Sequence, residues 1–418
     1  MKKMNKYPIT YWCGVPTKFL NGPDGKVIKW RFEEMKEAGF TLIDAMRLPS
    51  ENKQILEYAE ELGLEVQVFD YRIADALRDK DKRRELIAKV VEDYKDYPAL
   101  HSYHIFDEPT SNMFDDLADV VAIFHELDPV RDAYINLLPN YASLEQLGNA
   151  SYEEHLEEFI AKVKPEIISY DHYHLMKPNT VAMPVIEDER ERLIFEAACS
   201  KDERAGFFDN YEIVREISMK HGLPYMLIVL VVEHGPYRNL TEGELRWEVF
   251  QSLAYGGSRM CYFTYWTPGV DGSDNDEFWH WANGMISKDG EKTEHYHIIK
   301  EINKELVTMG TEIMDKKSLG VFHTITAPEH KTKLFQGFGN VEKIEGDPVT
   351  VGFFEGGYAV LANRSYEKEA SVKLICKAGC ALEVLDAVSG EWMALGAEDG
   401  CYNITLDAGD GIMVKIAE

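Results

Sequence analysis

The sequence predicts an α/β protein, a (β/α)8 barrel followed by an antiparallel β-sandwich. Three observations lead there. From Pro8 to about Met314, short apolar runs alternate eight times with amphipathic stretches of helical period. The apolar runs lack the in-out alternation of half-exposed strands, as expected of parallel strands covered on both faces. After about Lys317 the period changes to two, with Gly, Asn and Asp turns between segments. The boundary falls near Lys316, giving a barrel over 1–316 and a sandwich over 317–418.

Taken in order, the strands are Ile9–Val15, Leu42–Arg47, Glu65–Phe69, Tyr103–Phe106, Ala133–Leu138, Glu166–Tyr170, Tyr225–Val232 and Arg259–Tyr265. Helices are expected over Trp30–Ala38, stopped by Gly39, and over Gln54–Leu62, stopped by Gly63. Further helices follow at Lys82–Tyr94, Phe114–Leu127, Tyr152–Val163, Phe207–Lys220, Glu242–Ala254 and His295–Met309. Ser151 and Thr241 read as N-caps. A long insertion separates the sixth strand from about Arg204. The sandwich strands are expected at Val321–Ile325, Lys333–Gly337, Val349–Phe354, Tyr358–Asn363, Ala370–Ile375, Leu382–Asp386 and Gly411–Ile416.

Composition narrows the function. With 418 residues, 45% of them hydrophobic and 11% aromatic, the chain can bury a large core. Against 73 acidic residues stand 45 basic ones, a net charge of −28 that disfavours nucleic acid and anionic membranes as partners. No apolar run reaches the roughly 18 residues of a membrane span, and no signal-peptide core follows the basic N-terminus. A cytoplasmic location is expected. The six cysteines, Cys13, Cys199, Cys261, Cys376, Cys380 and Cys401, are scattered and read as free thiols. No Gly-rich phosphate loop follows a strand, so no cofactor is expected. The expected partner is a carbohydrate, and a homo-oligomer is compatible with the composition.

In a barrel of this class the chemistry sits at the C-terminal ends of the strands. Those ends carry Asp70, Asp107, Glu108, Asp171, His172, Glu233, His234 and Trp266. The fourth strand runs His101-Ser102-Tyr103-His104-Ile105-Phe106 into Asp107-Glu108-Pro109 and delivers two carboxylates where the chain leaves the core. Glu108 and Glu233 end strands on opposite sides of the mouth. Glycoside cleavage needs such a pair: one carboxylic acid protonates the leaving oxygen, and a second carboxylate attacks the anomeric carbon or activates water. The structural alternative for Glu233 is an ion pair with Arg238. His234, if close, would hold Glu233 ionised. Around the pair, Asp107, Asp70, Tyr71, Asn136, Asp171, His172, Tyr173, His234 and Trp266 are the expected substrate contacts, with Trp266 the stacking platform. Asn140 is a further hydroxyl partner.

These residues resemble the clan of retaining glycoside hydrolases that includes β-galactosidases, β-glucosidases and cellulases. The resemblance rests on glutamates after strands four and seven, Tyr265-Trp266 after strand eight, and the trailing sandwich. It implies Glu108 as acid/base and Glu233 as nucleophile. The clan's acid/base follows an asparagine, whereas Asp107 stands here. The segment Thr241–Tyr265 also resembles β-galactosidase-like bacterial proteins. Two competing functions remain open at this level. One is a non-catalytic carbohydrate-binding barrel; the other is a metal-dependent enzyme using Asp171, His172, His174 and Glu233, a set that suits zinc or manganese. The acidic run Asp271–Glu277 reads as a solvated loop over the mouth rather than a calcium loop.

Overall fold

The computed structural model describes residues 4–177, 203–398 and 401–417. Most of the expected insertion, 178–202, and Cys199 within it lie outside the described residues. Eight parallel strands form one sheet in the order β1-β8-β7-β6-β5-β4-β3-β2. They are β1 (Ile9–Tyr11), β2 (Leu42–Met46), β3 (Glu65–Phe69), β4 (Leu100–Asp107), β5 (Asp132–Leu137), β6 (Ile168–Asp171), β7 (Tyr225–Leu230) and β8 (Arg259–Phe263). The ring is drawn together between β1 and β2, where the Thr41 amide donates to the Ile9 carbonyl at 3.1 Å. The Ile9 amide in turn donates to Thr41 Oγ1 at 2.8 Å. Strand β7 is buried at every position, which is why its sequence is an unbroken apolar run.

The eight expected helices sit where the period placed them, and the described residues add four more, at Thr17–Leu20, Tyr71–Arg78, Leu144–Leu147 and Asp276–Trp279. Tyr71–Arg78 directly follows β3, ahead of the helix Arg83–Tyr94, which was expected over Lys82–Tyr94. Ser151 and Thr241 accept from the amides of Glu154 and Glu244, closing the helix starts. Gly39 and Gly63 end their helices in left-handed backbone, which the missing Cβ permits.

Nine strands follow the barrel: β9 (Ser318–His323), β10 (Val341–Gly346), β11 (Val349–Phe354), β12 (Tyr358–Asn363), β13 (Ala370–Cys376), β14 (Leu382–Leu385), β15 (Trp392–Leu395), β16 (Cys401–Leu406) and β17 (Gly411–Ile416). They make antiparallel sheets β10-β13-β16 and β15-β14-β17-β12-β11-β9. The expected strand at Lys333–Gly337 is instead a loop joined to His323 by one bridge at Leu334. Strands β10, β15 and β16 were not anticipated. The six-stranded sheet packs on the barrel helix Glu242–Tyr255, eleven of whose fourteen residues are buried. The approach is close enough to demand glycine. A Cβ on Gly352 would lie 1.7 Å from the Ala254 carbonyl, and one on Gly409 1.8 Å from that of Gly243. Arg246 on this helix bonds Asp410 at 2.9 Å and Glu305 at 2.8 Å. A second junction forms where the Glu329 carboxylate accepts the amides of Gly206, Phe207 and Asp209 at 2.9, 3.1 and 2.7 Å, capping the helix Phe207–His221.

Among the described residues no helix is long and apolar enough to cross a membrane. Cys13, Cys261, Cys376 and Cys380 are free thiols.

Candidate active site

Strand β4 ends by turning sharply. Glu108 adopts φ 49°, left-handed backbone that a side chain seldom tolerates, and its amide donates to the Asn136 carbonyl at 2.9 Å. The turn holds Asp107 and Glu108 at the mouth, against the ends of β5 and β6. Asn136 on β5 is the organising group. Its Nδ2 donates to Oδ1 of Asp107 and to Oδ1 of Asp171, each at 3.2 Å. Its Oδ1 accepts from the Ser169 hydroxyl at 2.9 Å, which is itself bonded to the Tyr134 hydroxyl at 2.9 Å. The buried chain Tyr134, Ser169, Asn136 thus orients one amide toward two acids.

Three carboxyls in contact cannot all ionise at ordinary pH. Asp171, enclosed by protein, is pushed well above the usual carboxylate range, by burial first and then by the charges of Glu108 and Asp107; it holds its proton against Glu108. Water reaches Asp107 and Glu108 from the mouth, yet protein surrounds them on the remaining sides. That recess is the first cause of their upward shifts, and for Glu108 the neighbouring Asp107 charge is the second.

Across the barrel, Glu233 follows β7 in a different setting. Lys177 Nζ lies 2.9 Å from its Oε1, and Asn283 Nδ2 donates to Oε2 at 3.0 Å. The alternative partner Arg238 is engaged elsewhere, donating to Glu244 at 2.9 Å. His234 does not play the part expected of it. Burial lowers its imidazole to about 4, so the ring is neutral, with Nδ1 3.0 Å from the Val232 carbonyl. The cation beside Glu233 is Lys177, which the sequence reading missed.

Other expected contacts divide. Tyr173 lies near the acids: its phenol is raised by burial first and then by Asp171, with Asp107 and Glu108 adding to it, and its ring stacks on Phe263 at 5.2 Å. Asp70 does not reach the site. It is fully buried, caps Tyr71–Arg78 through the Arg72 amide at 3.0 Å, grips the Arg72 guanidinium at 2.7 and 2.9 Å, and accepts from the Tyr94 hydroxyl at 2.7 Å. Tyr71 stands exposed at the first position of that helix. His172 turns behind the strand, with Nδ1 3.1 Å from Asn210 Oδ1 and its ring against Tyr141 and Phe207. His174 packs against Phe207 and Trp247, which also stack on each other at 5.0 Å. The Asp171–His174 run therefore splits between two sides of its strand, and among the described residues no group of three His, Cys, Asp or Glu side chains is arranged to hold a metal ion. Asn140 serves the loop, donating to the Gly206 carbonyl at 2.8 Å.

Trp266 is not an open platform. It is 1% exposed, tilted on Phe19 at 5.0 Å and covered by the Arg31 guanidinium at 4.9 Å. It lines the floor of a cavity of about 580 Å3 at the ends of β1, β2 and β8, together with Trp12, Cys13, Asp44, Arg47 and Asp274. The Cys13 thiol there is pushed up to about 12, by burial first and then by the charges of Asp274 and Asp44. The cavity's size suits a small ligand.

No family model matches the sequence, and no curated protein matches it. Solved structures do. A family 5 glycoside hydrolase from Bacteroides vulgatus aligns with a TM-score of 0.59 at 10% identity, over 99% of this chain and 89% of that one. Another glycoside hydrolase aligns at 0.55 and 11% identity, over 98% and 92%. A β-galactosidase from Marinomonas ef1 aligns at 0.49 and 12% identity over 74% of this chain, which spans 62% of that enzyme's length. The protein thus has the fold of the (β/α)8-barrel glycoside hydrolases, sandwich included.

Proposed function

We propose that the protein is a retaining glycoside hydrolase, β-galactosidase-like in substrate, with Glu108 as acid/base and Glu233 as nucleophile. The reading is supported above all by the contrast between the two carboxyls. Glu108 sits in a recess beside Asp107, and burial and the Asp107 charge raise its pKa against the opposing hydrogen bond of Asp171, while Glu233 lies against an ammonium and an amide donor. Acid and nucleophile require two carboxyls held in different environments, and these two are held differently.

In the first step Glu108 gives its proton to the glycosidic oxygen as the carbon–oxygen bond breaks, and a Glu233 oxygen bonds the anomeric carbon. In the second, Glu108 takes a proton from water, which displaces Glu233 with net retention. Neither step calls for a cofactor. The missing asparagine at 107 has a counterpart in Asn136, whose amide reaches the same acids from the next strand.

The test is a panel of aryl glycosides, galactosides first, with the product anomer read by NMR. Glu108→Ala should cleave activated aryl glycosides with a burst and be accelerated by azide, giving a glycosyl azide of retained configuration. Glu233→Ala should lose turnover on every substrate. Wild-type turnover in both variants overturns the assignment.

A further inference from the structure

The loop after β8 carries three aromatic rings that this chemistry does not use. Phe278 and Trp279 lie 4.9 Å apart, Trp279 and Trp281 5.9 Å, and Trp281 stacks on His234 at 4.4 Å. Trp281 also meets Phe263, which stacks on Tyr173 beside the acids. The rings form a strip from the mouth outward, in which Trp281 and Trp279 are half-buried and Phe278 is 71% exposed.

The strip is fixed relative to Glu233. The backbones of Glu233 and Ala282 exchange hydrogen bonds of 2.8 and 2.9 Å, and the Gly235 amide donates to the Trp279 carbonyl at 2.7 Å. A Cβ on Gly235 would lie 2.9 Å from the Trp279 ring, so the indole rests on bare backbone two residues from Glu233. Asn283, from the same loop, donates to Glu233 itself. Trp281 Nε1 ties the loop's acidic half down through the Asp274 carbonyl at 2.8 Å.

A contiguous exposed aromatic surface that begins at a catalytic cleft marks a ligand site. Sugar rings suit it, because their C–H faces lie on aromatic faces while their hydroxyls stay in water. The loop's charge selects among sugars. Asp274, Asp276 and Glu277 border the strip and, among the described residues, only Asp276 has a lysine, Lys288 at 2.6 Å, as ion-pair partner. Anionic sugars would be repelled.

From this geometry we infer that Phe278, Trp279 and Trp281 form a subsite for a further neutral sugar of an oligosaccharide, beyond the ring held at Glu233. The inference rests on the glycoside hydrolase reading above. The substrate is then a neutral oligosaccharide rather than a single-sugar glycoside.

The test compares β-1,4-galactotetraose with β-galactosyl fluoride, whose leaving atom is too small to reach the strip, in the wild type and in Phe278→Ala/Trp279→Ala. The double variant should lose about tenfold more kcat/KM on the tetrasaccharide than on the fluoride, the worth of one to two aromatic contacts. Equal losses on both overturn the subsite. If the wild type turns over neither compound, the activity reading fails, and the subsite is judged by tetrasaccharide quenching of tryptophan fluorescence. Saturable quenching weakened about tenfold in the variant supports it; no quenching in the wild type overturns it.

Discussion

The ammonium of Lys177 lies 2.9 Å from Oε1 of Glu233, closing an ion pair between the segment after β6 and the end of β7. Both side chains are about three-quarters covered, so the pair is partly desolvated and worth more than a surface bridge. Replacing Lys177 by Met should lower kcat on every substrate, about tenfold, with KM little changed. Lys177→Arg should restore most of it. If Met and Arg variants behave alike, the charge does not position Glu233.

The pH profile offers a second check. Glu108 must be protonated to act, so kcat/KM should fall as pH rises through its raised pKa. The Asp107 charge contributes to that rise. In Asp107→Asn the alkaline limb should therefore move to lower pH, and a limb that stays put or moves upward would remove Glu108 from the acid role.

Asp171 gives a stability prediction of definite sign. Its folded pKa stands well above the ~3.9 of an unfolded aspartate. The native protein keeps a proton that the unfolded chain releases, so this group's contribution is full below about pH 4 and is lost as pH rises toward the folded pKa. Asp171→Asn has the same shape and no titration. Its melting temperature relative to wild type should increase from pH 4.5 to 7.5, and calorimetry showing a constant gap would refute the protonated state.

Glu329 accepts three amides at a helix start from the far side of the domain junction. Glu329→Ala should cost about 1–2 kcal/mol in urea unfolding, and Glu329→Gln, which keeps an acceptor, less. Equal costs would show that the carboxylate is not the cap.

Where the sequence spoke clearly, physics left one solution. A strand such as Tyr225–Leu230 must be apolar throughout because helices and core cover both faces, and eight such runs admit few folds. Strand β10 spoke faintly, since four of its six residues point to water and it reads as loop. The carboxylates at the ends of β4 and β7 were visible because a strand fixes where its last residue goes. Asp70 misled for the same reason, although Ile73, Ala76 and Leu77 behind it announce a helix for which it is the cap. Lys177, Asn283, Trp279 and Trp281 were invisible as site residues. Loops carry them back to Glu233, and nothing in linear spacing encodes that return. Trp266 read as a platform from its place after β8, but Phe19 and Arg31, distant in sequence, cover its ring.

The glycine-tight seam between the helix Glu242–Tyr255 and the sandwich also sets the order in which the protein can be finished during synthesis. That helix follows directly from the Glu233 segment, and its outer face is closed by Gly409, Asp410 and Gly411 at the start of β17. Every acid in the cleft has left the ribosome by residue 233, and its aromatic wall by 281. The cover over their shared support arrives later and in parts, first β9, β11 and β12 and last the Gly409–Gly411 seam. Until that seam closes the helix is only partly covered, so a nascent chain stalled before residue 409 should carry all the chemistry of the site on an incompletely packed support.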